Sequence, residues 1–393
     1  MRRLILLSVF VSVLTACTSN DSNKYMTLHR DALVVDLHSD AVLRMMEGAD
    51  FGIRDTAGDM DLPRLREGGV DLQVMACWIA TETPKEECRP KVDQMIDSIQ
   101  AQVGRYGDQA GICLTAAQAE KTINDGKLAV FIGIENGVAL ADVLANIKHY
   151  YDRGVRYLTL THTGSSDWCI SSADTAPAFP GLTDFGRDVV RKMNEIGMII
   201  DISHASPEAV SEVLKTSTDP VIASHSCVYA LCQHNRNLTD DQIRAIAANG
   251  GVIGINFFDR YLSQAWNMAA DSLHKFYRPT FDSIDQVYGD DKAKRHEAKE
   301  PIRAEIDRQL KRCNVSVATV VDHIDHIVKL VGPDYVGLGS YFDGVFSLPE
   351  GLKDCTFVPN VTRELVARGY SDEDISKILG GNFMRVFRKV CDG

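Results

Sequence analysis

Eight short apolar runs, separated by longer stretches with helical periodicity, constrain the fold of this chain most strongly. Unbroken apolar runs of this length are typical of parallel strands that are buried on both faces. The alternation of strand and helix predicts a closed (β/α)8 barrel, also called a TIM barrel. An open, doubly wound sheet is the alternative, but no GxGxxG motif follows the first run. The runs cover residues 32–37, 70–79, 128–134, 155–160, 198–202, 220–223, 251–256 and 335–339.

The 393 residues could form two domains or one large barrel. Because no Ser/Pro-rich linker divides the chain, we expect one domain over residues 29–393. Residues 257–316 interrupt the alternation with a long, charged segment of helical character. A segment of this kind would cover the site or form a subunit contact, so a homodimer is one expected assembly.

The N-terminus predicts export. Arg2 and Arg3 precede an apolar run over residues 4–14, which is too short to span a bilayer. The run ends in Leu-Thr-Ala-Cys17, similar to a bacterial lipobox. We therefore expect a signal peptide over residues 1–16, acylation of Cys17 and a polar tether over 17–28. This predicts a protein lipid-anchored to a bacterial membrane; an ordinary signal peptide with an incidental cysteine is the alternative.

The charge and cysteine content narrow the classes of partner. A formal net charge of −12 without a basic cluster argues against nucleic acid. The rest of the sequence contains no apolar run that is long enough to span a bilayer, so we expect membrane contact only through the lipid anchor. Ten cysteines can form disulfides in an exported protein, although their spacing does not give the pairing.

Polar side chains capable of binding metal follow five of the predicted strands. The active site of a (β/α)8 barrel lies at the C-terminal ends of its strands, so these side chains should meet at one mouth. A lone histidine at such a position is more often a hydrogen-bonded core residue, but the joint pattern favours a metal site. The residues are His38, Asp40, Glu135, His162, His204 and His225.

The residue types in this set fit zinc. His38 and Asp40 occupy alternate positions of one strand end and therefore share a face. Glu135 can bridge two cations through its two oxygens, and His204 and His225 supply imidazoles to a second ion. Nitrogen and oxygen ligands of this kind suit zinc, and two adjacent ions would acidify a shared water.

The motifs that carry these residues resemble the membrane (renal) dipeptidase family of zinc peptidases, from about residue 29 to the C-terminus. The resemblance implies a (β/α)8 barrel with two zinc ions. It implies that His38 and Asp40 bind one ion, that His204 and His225 bind the other, and that Glu135 binds both. The matching segments are residues 35–40, 133–140, 157–162, 201–204, 220–225 and 380–386.

The same resemblance implies roles in substrate binding. His162 would orient the scissile carbonyl and its developing oxyanion, and Arg236 would bind the terminal carboxylate bidentately. The implied substrate is a dipeptide with a free C-terminal carboxylate, with a D-residue tolerated on that side. The resemblance also implies a disulfide between Cys232 and Cys313, and Cys88 with Cys169 is a possible second pair.

The eighth strand departs from the family pattern. The run Gly-Ser-Tyr341-Phe-Asp343-Gly places a tyrosine where the family has its proton-carrying aspartate. A phenol is a poor base at neutral pH, and loss of a proton carrier costs on the order of 10²–10⁴ in rate. Three explanations stay open: Asp343 reaches the site, another group carries the proton, or activity is weakened. The competing hypotheses are therefore a dipeptidase and a non-catalytic, metal-containing, peptide-binding lipoprotein.

Two further groups are weaker candidates. His323 and His326 lie in a motif that resembles a metal site, but its amphipathic pattern predicts a packed or solvated helix. The aromatic residues Phe257, Phe258 and Tyr261 fit either the core or a substrate wall.

Overall fold

A computed structural model describes residues 24–392 of the chain. The predicted signal peptide over residues 1–16 and the acylated Cys17 therefore lie outside the described residues. Between residues 24 and 392, every helix is too short or too polar to span a membrane.

A closed barrel of eight parallel strands forms the centre of the described chain, as the alternation of apolar runs predicts. Its strands follow one another around the barrel in chain order, and the last strand pairs with the first. A ninth strand, β3, lies outside the circle. The strands are β1 (Val35–Asp36), β2 (Leu72–Trp78), β3 (Ala110–Ile112), β4 (Leu128–Glu135), β5 (Val155–Thr159), β6 (Ile199–Asp201), β7 (Ile222–Ser226), β8 (Val252–Ile255) and β9 (Val336–Leu338).

The additional strand β3 was not among the eight predicted runs. It pairs with the first half of β4, where Ala110 lies beside Leu128. From Ile132 onward, the same edge of β4 pairs with β5 instead. The formation of β3 depends on an edge of β4 that only the assembled barrel provides.

Helices surround the barrel, and their starts follow the capping chemistry of the sequence. Ser206 and Thr239 each accept a hydrogen bond from a backbone N–H three residues later. The helices are α1 (24–31), α2 (Ala41–Met46), α3 (Leu62–Glu67), α4 (Lys85–Arg105), α5 (Ala116–Asn124), α6 (Ala145–Asp152), α7 (Asp184–Ile196), α8 (Pro207–Thr216), α9 (Asp240–Ala248), α10 (Asp259–Leu262), α11 (Gln264–Tyr288), α12 (Lys292–Leu310), α13 (Val317–Val331), α14 (Pro359–Ala367), α15 (Asp372–Ser376) and α16 (Asn382–Cys391).

The segment predicted to be an insertion contains α10, α11 and α12. The last two helices form a hairpin, and Lys299 of α12 binds Asp285 of α11 at 2.6 Å. Most residues of this hairpin are exposed. The charged sequence of the insertion is thus explained by a pair of helices that packs mainly on itself.

The C-terminal helix α16 closes the end of the barrel at which the strands begin. Phe383 and Phe387 of α16 lie within 5.7 Å and 5.0 Å of Phe131 in β4, measured between ring centroids. All three rings are buried, and each contributes about 1.5–3 kcal/mol of hydrophobic stabilisation. The opposite end of the barrel is left for the site.

The predicted disulfide between Cys232 and Cys313 is not formed, because both residues are free thiols. The Cys232 thiol is buried and donates to the carbonyl of Arg260 at 3.5 Å, whereas Cys313 is half-buried in the turn after α12. Cys88 and Cys169 are also free, so the second suggested pair is corrected as well.

Candidate metal centre

Glu135, the last residue of β4, is the centre of the cluster that the sequence predicts. Its Oε1 lies 3.0 Å from His204 Nε2, 3.3 Å from His225 Nε2 and 3.8 Å from His162 Nε2. The two nitrogens of His204 and His225 are 2.9 Å apart and therefore point to one place. One oxygen of Glu135 is thus surrounded by three imidazoles from three different strand ends.

The other oxygen of Glu135 lies on the side of the first predicted ligand pair. His38 Nε2 is 3.6 Å from Glu135 Oε2 and 3.9 Å from Asp40 Oδ2. The structure therefore brings all five predicted ligands together, with Glu135 between the two pairs. This is the arrangement that a bridging carboxylate requires.

The distances between possible ligand atoms divide the cluster into two groups of three residues, which differ slightly from the two predicted ligand pairs. One set joins His38, Glu135 and His225, and the other joins Glu135, His162 and His204. The short distance between the Nε2 atoms of His204 and His225 nevertheless keeps these two imidazoles in one half of the site.

Unpartnered buried atoms show that the residues present fit metal ions. Both oxygens of Glu135, His38 Nε2 and Asp40 Oδ1 are buried and lack a hydrogen-bond partner among the described residues. Buried polar atoms are normally satisfied, and their concentration here fits the binding of a cation. Imidazole nitrogens and carboxylate oxygens together form a donor set that zinc accepts.

The electrostatics of the cluster favour a bound cation. Burial alone would lower the pKa of His38, but the carboxylates of Glu135 and Asp40 outweigh it and raise that pKa to about 9. Burial, followed by repulsion from Glu135, raises the pKa of Asp40 to about 8. The carboxylates therefore attract positive charge to this point, either as a proton or as a metal ion.

The second half of the centre holds neutral imidazoles. Burial holds the pKa of His204 and of His225 well below the usual histidine value, and the positive charges of Arg236 and His38 act in the same direction. A neutral imidazole is the form that binds a metal.

Asp201, at the end of β6, fixes the orientation of the His225 imidazole. Its buried carboxylate accepts four hydrogen bonds, from the hydroxyls of Thr159 and Ser224 and from the backbone N–H groups of Ser203 and Ser224. Because the Ser224 hydroxyl donates to Asp201, it accepts from His225 Nδ1 at 2.8 Å. Nδ1 of His225 is then protonated, and Nε2 presents its lone pair to the centre.

Asp36, in β1, is a second buried carboxylate that supports the cluster, on the side of His38 and Asp40. It accepts hydrogen bonds from the backbone N–H and the hydroxyl of Ser340, at 2.8 Å and 2.6 Å, and from the amide of Gln73 at 2.9 Å. This carboxylate ties the strand that carries His38 to β9, which leads to Tyr341. Neither Asp36 nor Asp201 was predicted as a site residue, although a carboxylate inside an apolar strand is itself a signal.

Of the two predicted substrate residues, Arg236 borders a pocket beside the cluster, and His162 is not among the residues that line it. A cavity of about 370 Å³ is lined by His204 and Arg236, together with Tyr229, Asn235 and Gln242. Arg236 is 6% exposed and donates from Nη2 to the carbonyl of His225 at 3.0 Å, which aims its guanidinium at the cluster.

His162 lies beside the same half of the centre. Its ring centroid is 4.3 Å from that of His204, and its side chain is 14% exposed. Burial lowers the pKa of His162, so its neutral ring retains one N–H donor.

Tyr341 stands next to the metal centre, and Asp343 does not. The ring of Tyr341 packs against those of His225 and His38, and both Tyr341 and Asp343 have positive φ angles, of 67° and 64°. Asp343 Oδ1 instead accepts from the backbone N–H of Asp59 at 2.7 Å and from Arg44 at 3.3 Å. The tentative catalytic role of Asp343 is therefore corrected to a loop-holding role, because the left-handed backbone turns its carboxylate toward residues 44–59.

The weaker sequence candidates are structural. His323 is buried in α13 and accepts from the backbone N–H of Val228 while it donates to the carbonyl of Leu262, both at 3.0 Å. His326 binds Asp240 at 2.7 Å. Phe257 and Phe258 belong to the core. The ring centroid of Tyr261 lies 5.6 Å from Arg236 Cζ.

A (β/α)8 barrel whose strand ends gather histidines around a buried glutamate defines the class of metal-dependent barrel hydrolases. Comparison with known proteins specifies the family. Residues 22–392 match the membrane dipeptidase family, peptidase family M19, and the chain belongs to it.

Individual relatives agree with this assignment. The chain is 30% identical to dipeptidase 3 of Mus musculus over 377 residues, which are 93% of this chain and 66% of that protein. It therefore spans just under two thirds of that relative. The probable dipeptidase PvdM of Pseudomonas aeruginosa is 28% identical, with a TM-score of 0.79 over 95% of this chain and 99% of that one.

A third neighbour shows the fold alone. It is a metallopeptidase of Rhodobacter sphaeroides, solved with a phosphinate mimic of the dipeptide L-Ala-D-Ala. Its identity is 21% and its TM-score is 0.74, over 91% of this chain and 99% of that one.

Proposed function

We propose that the protein is a zinc-dependent dipeptidase that hydrolyses dipeptides with a free C-terminal carboxylate. The observation that carries the proposal is the convergence of four imidazoles within 3.8 Å of the two oxygens of Glu135. Membership of a dipeptidase family supports the reaction type.

The residues present would hold two zinc ions. His38 and Asp40 would bind one ion, His204 and His225 the other, and Glu135 both. Zinc bound there supplies a Lewis acid and lowers the pKa of water. The protein itself supplies rigid ligands, because the hydrogen bonds of Asp201 fix the imidazole of His225 in the required tautomer.

Substrate binding would use the pocket beside this centre. Arg236 would bind the terminal carboxylate, since a guanidinium forms two parallel hydrogen bonds to such a group. His162 would donate its N–H to the scissile carbonyl oxygen, where negative charge develops. A pocket of about 370 Å³ fits a short peptide and excludes a folded chain.

Tyr341 supports a second candidate, a peptide-binding lipoprotein with weakened catalysis. Burial, followed by the nearby carboxylates of Glu135 and Asp40, raises the pKa of Tyr341 well above its usual value. A phenol in this state does not accept a proton near pH 7. Tyr341 therefore cannot replace a carboxylate that takes a proton and passes it to the leaving amine. Both candidates fit the proposed export and membrane anchoring through Cys17.

The experiment that separates the two candidates is an assay of the purified, zinc-loaded protein with matched L,L and L,D dipeptides. The Rhodobacter ligand motivates the L,D members of the panel. We expect hydrolysis of free dipeptides and much slower hydrolysis of their C-terminal amides, because an amide cannot pair with Arg236. Binding of the dipeptides without any hydrolysis would reject the enzyme and favour the binding protein.

A further inference from the structure

A second cavity, of about 530 Å³, lies between the insertion and the loop that follows β9. The ends of α10, α11 and α12 form one wall, and residues 346–350 form another. It shares no lining residue with the pocket of His204 and Arg236. The proposed dipeptidase function does not use it.

One side of this cavity is apolar. Trp266 is 2% exposed and forms its floor with Leu310 and Val315. Phe346 stands at the opening and is 71% exposed, with its ring 5.0 Å from that of Phe258 and 6.2 Å from that of Trp266. A large aromatic ring that is held at a cavity mouth by other aromatics offers a surface for an apolar group.

Charges of both signs line the same cavity. The acidic residues are Asp259, Asp307 and Glu350, and the basic ones are Lys311 and Lys353. Among residues 24–392 none of the five forms an ion pair, whereas neighbouring charged side chains do, such as Arg260 with Asp271 and Arg308 with Glu305. The arrangement therefore offers separate anchoring points for a positive and a negative group.

Asp259 is the most specific of these anchoring points. It is 8% exposed, and its Oδ2 accepts a hydrogen bond from the hydroxyl of Ser347 at 2.5 Å. Its Oδ1 is buried and has no partner among the described residues. A buried carboxylate oxygen without a partner is costly, and a ligand ammonium group at the cavity would remove that cost.

We propose that this cavity binds a free amino acid with an aromatic or large apolar side chain. Its ammonium group would bind Asp259, its carboxylate would bind Lys311 or Lys353, and its side chain would pack against Trp266 and Phe346 on the apolar side of the cavity. The volume lies within the range of small-molecule sites, and the charges match a zwitterion rather than a simple cation or anion.

Fluorine NMR and calorimetry on the full chain test this proposal, with 4-fluoro-L-phenylalanine as the probe. We expect one equivalent to bind, and Asp259→Asn to weaken binding about tenfold or more, because a charge-assisted hydrogen bond is lost. Phe346→Ser, a change at an exposed position that the fold does not need, should weaken binding as well. 2-Phenylethylamine and 3-phenylpropanoate, which each lack one charge, should bind more weakly than the probe.

Arg236→Ala is the matched control for binding at the metal centre, and it should leave the Asp259-dependent equivalent unchanged. Absence of binding to the parent protein would overturn the proposal. Binding that survives both Asp259→Asn and Phe346→Ser but is lost in Arg236→Ala would also overturn it. A protein without peptidase activity that still binds the probe through Asp259 would reject the proposed function and leave this inference intact.

Discussion

The ring of Tyr341 lies 4.9 Å from the imidazole of His225, measured between centroids. It is also 5.3 Å from the ring of His38, so this one side chain touches both halves of the candidate metal centre. Gly344 permits this placement, since a Cβ at that residue would lie 2.4 Å from the Tyr341 ring and 2.0 Å from Asp40 Oδ2. The loop after β9 is therefore built around the tyrosine.

The metal ligands give the first prediction. His204→Ala and His225→Ala should each remove one of two equivalents of zinc, because each imidazole faces Glu135 Oε1 in the same half of the site. Elemental analysis of the purified variants measures the loss. His326→Ala is the control, since His326 pairs with Asp240 on the surface and should leave the zinc content unchanged. Two equivalents retained in both ligand variants would exclude these residues from the site.

Asp201 gives the second prediction. Asp201→Asn should reduce zinc affinity by about 10–100-fold, because the partner that fixes Ser224 and the His225 tautomer is altered. Competition with a chelator measures this affinity. Thr159→Val removes only one of the four donors to Asp201 and should have a clearly smaller effect. Equal affinity in Asp201→Asn and the parent would show that the carboxylate serves the fold alone.

The apolar strands and the metal ligands were predictable because each follows from a local rule. Parallel strands require unbroken apolar runs, and a barrel brings their C-terminal ends together, which places Glu135, His204 and His225 at one mouth. β3 was missed because it lies outside the eight-stranded circle and pairs only with an edge of β4, which exists only in the assembled barrel. Asp36 and Asp201 lie within the motifs at residues 35–40 and 201–204, but their hydrogen bonds depend on strand neighbours that the sequence does not reveal.

The role of Asp343 was not predictable for a different reason. The sequence places it two residues after Tyr341, and its direction depends on the positive φ angles at both positions. Non-glycine residues adopt this conformation rarely, so extended geometry was the natural expectation.

His323 gives the third prediction, on pH dependence. Burial lowers its pKa to about 4, since the residue is 0% exposed, and this effect outweighs the hydrogen bond to the carbonyl of Leu262, which raises the pKa. The unfolded chain binds a proton near pH 6.5, so the stabilising effect is complete above that pH and is lost as pH falls toward 4. The loss is about 1.4 kcal/mol per pH unit and ~3 kcal/mol in total.

Urea unfolding at pH 7.5 and 5 measures this effect. His323→Gln should be less stable than the parent at pH 7.5, and its free energy of unfolding should fall less between the two pH values. An identical fall in both proteins would show that His323 does not couple folding to protonation.

The fourth prediction concerns the repair of the strand-eight motif. Tyr341→Asp places a carboxylate beside His38 and His225, where it can take a proton and pass it to the leaving amine. We expect kcat for a dipeptide to rise by about 10²-fold or more, with a smaller change in KM. Asp343→Asn is the control, because its carboxylate binds Arg44 and Asp59 and should affect catalysis little.

The most direct test of the central claim is the kcat of the zinc-loaded parent and of Tyr341→Asp on one free dipeptide. We expect slow, chelator-sensitive hydrolysis by the parent and a rise of about 10²-fold or more in the variant. If neither protein hydrolyses any dipeptide of the L,L and L,D panel with two equivalents of zinc bound, the chain is not a dipeptidase.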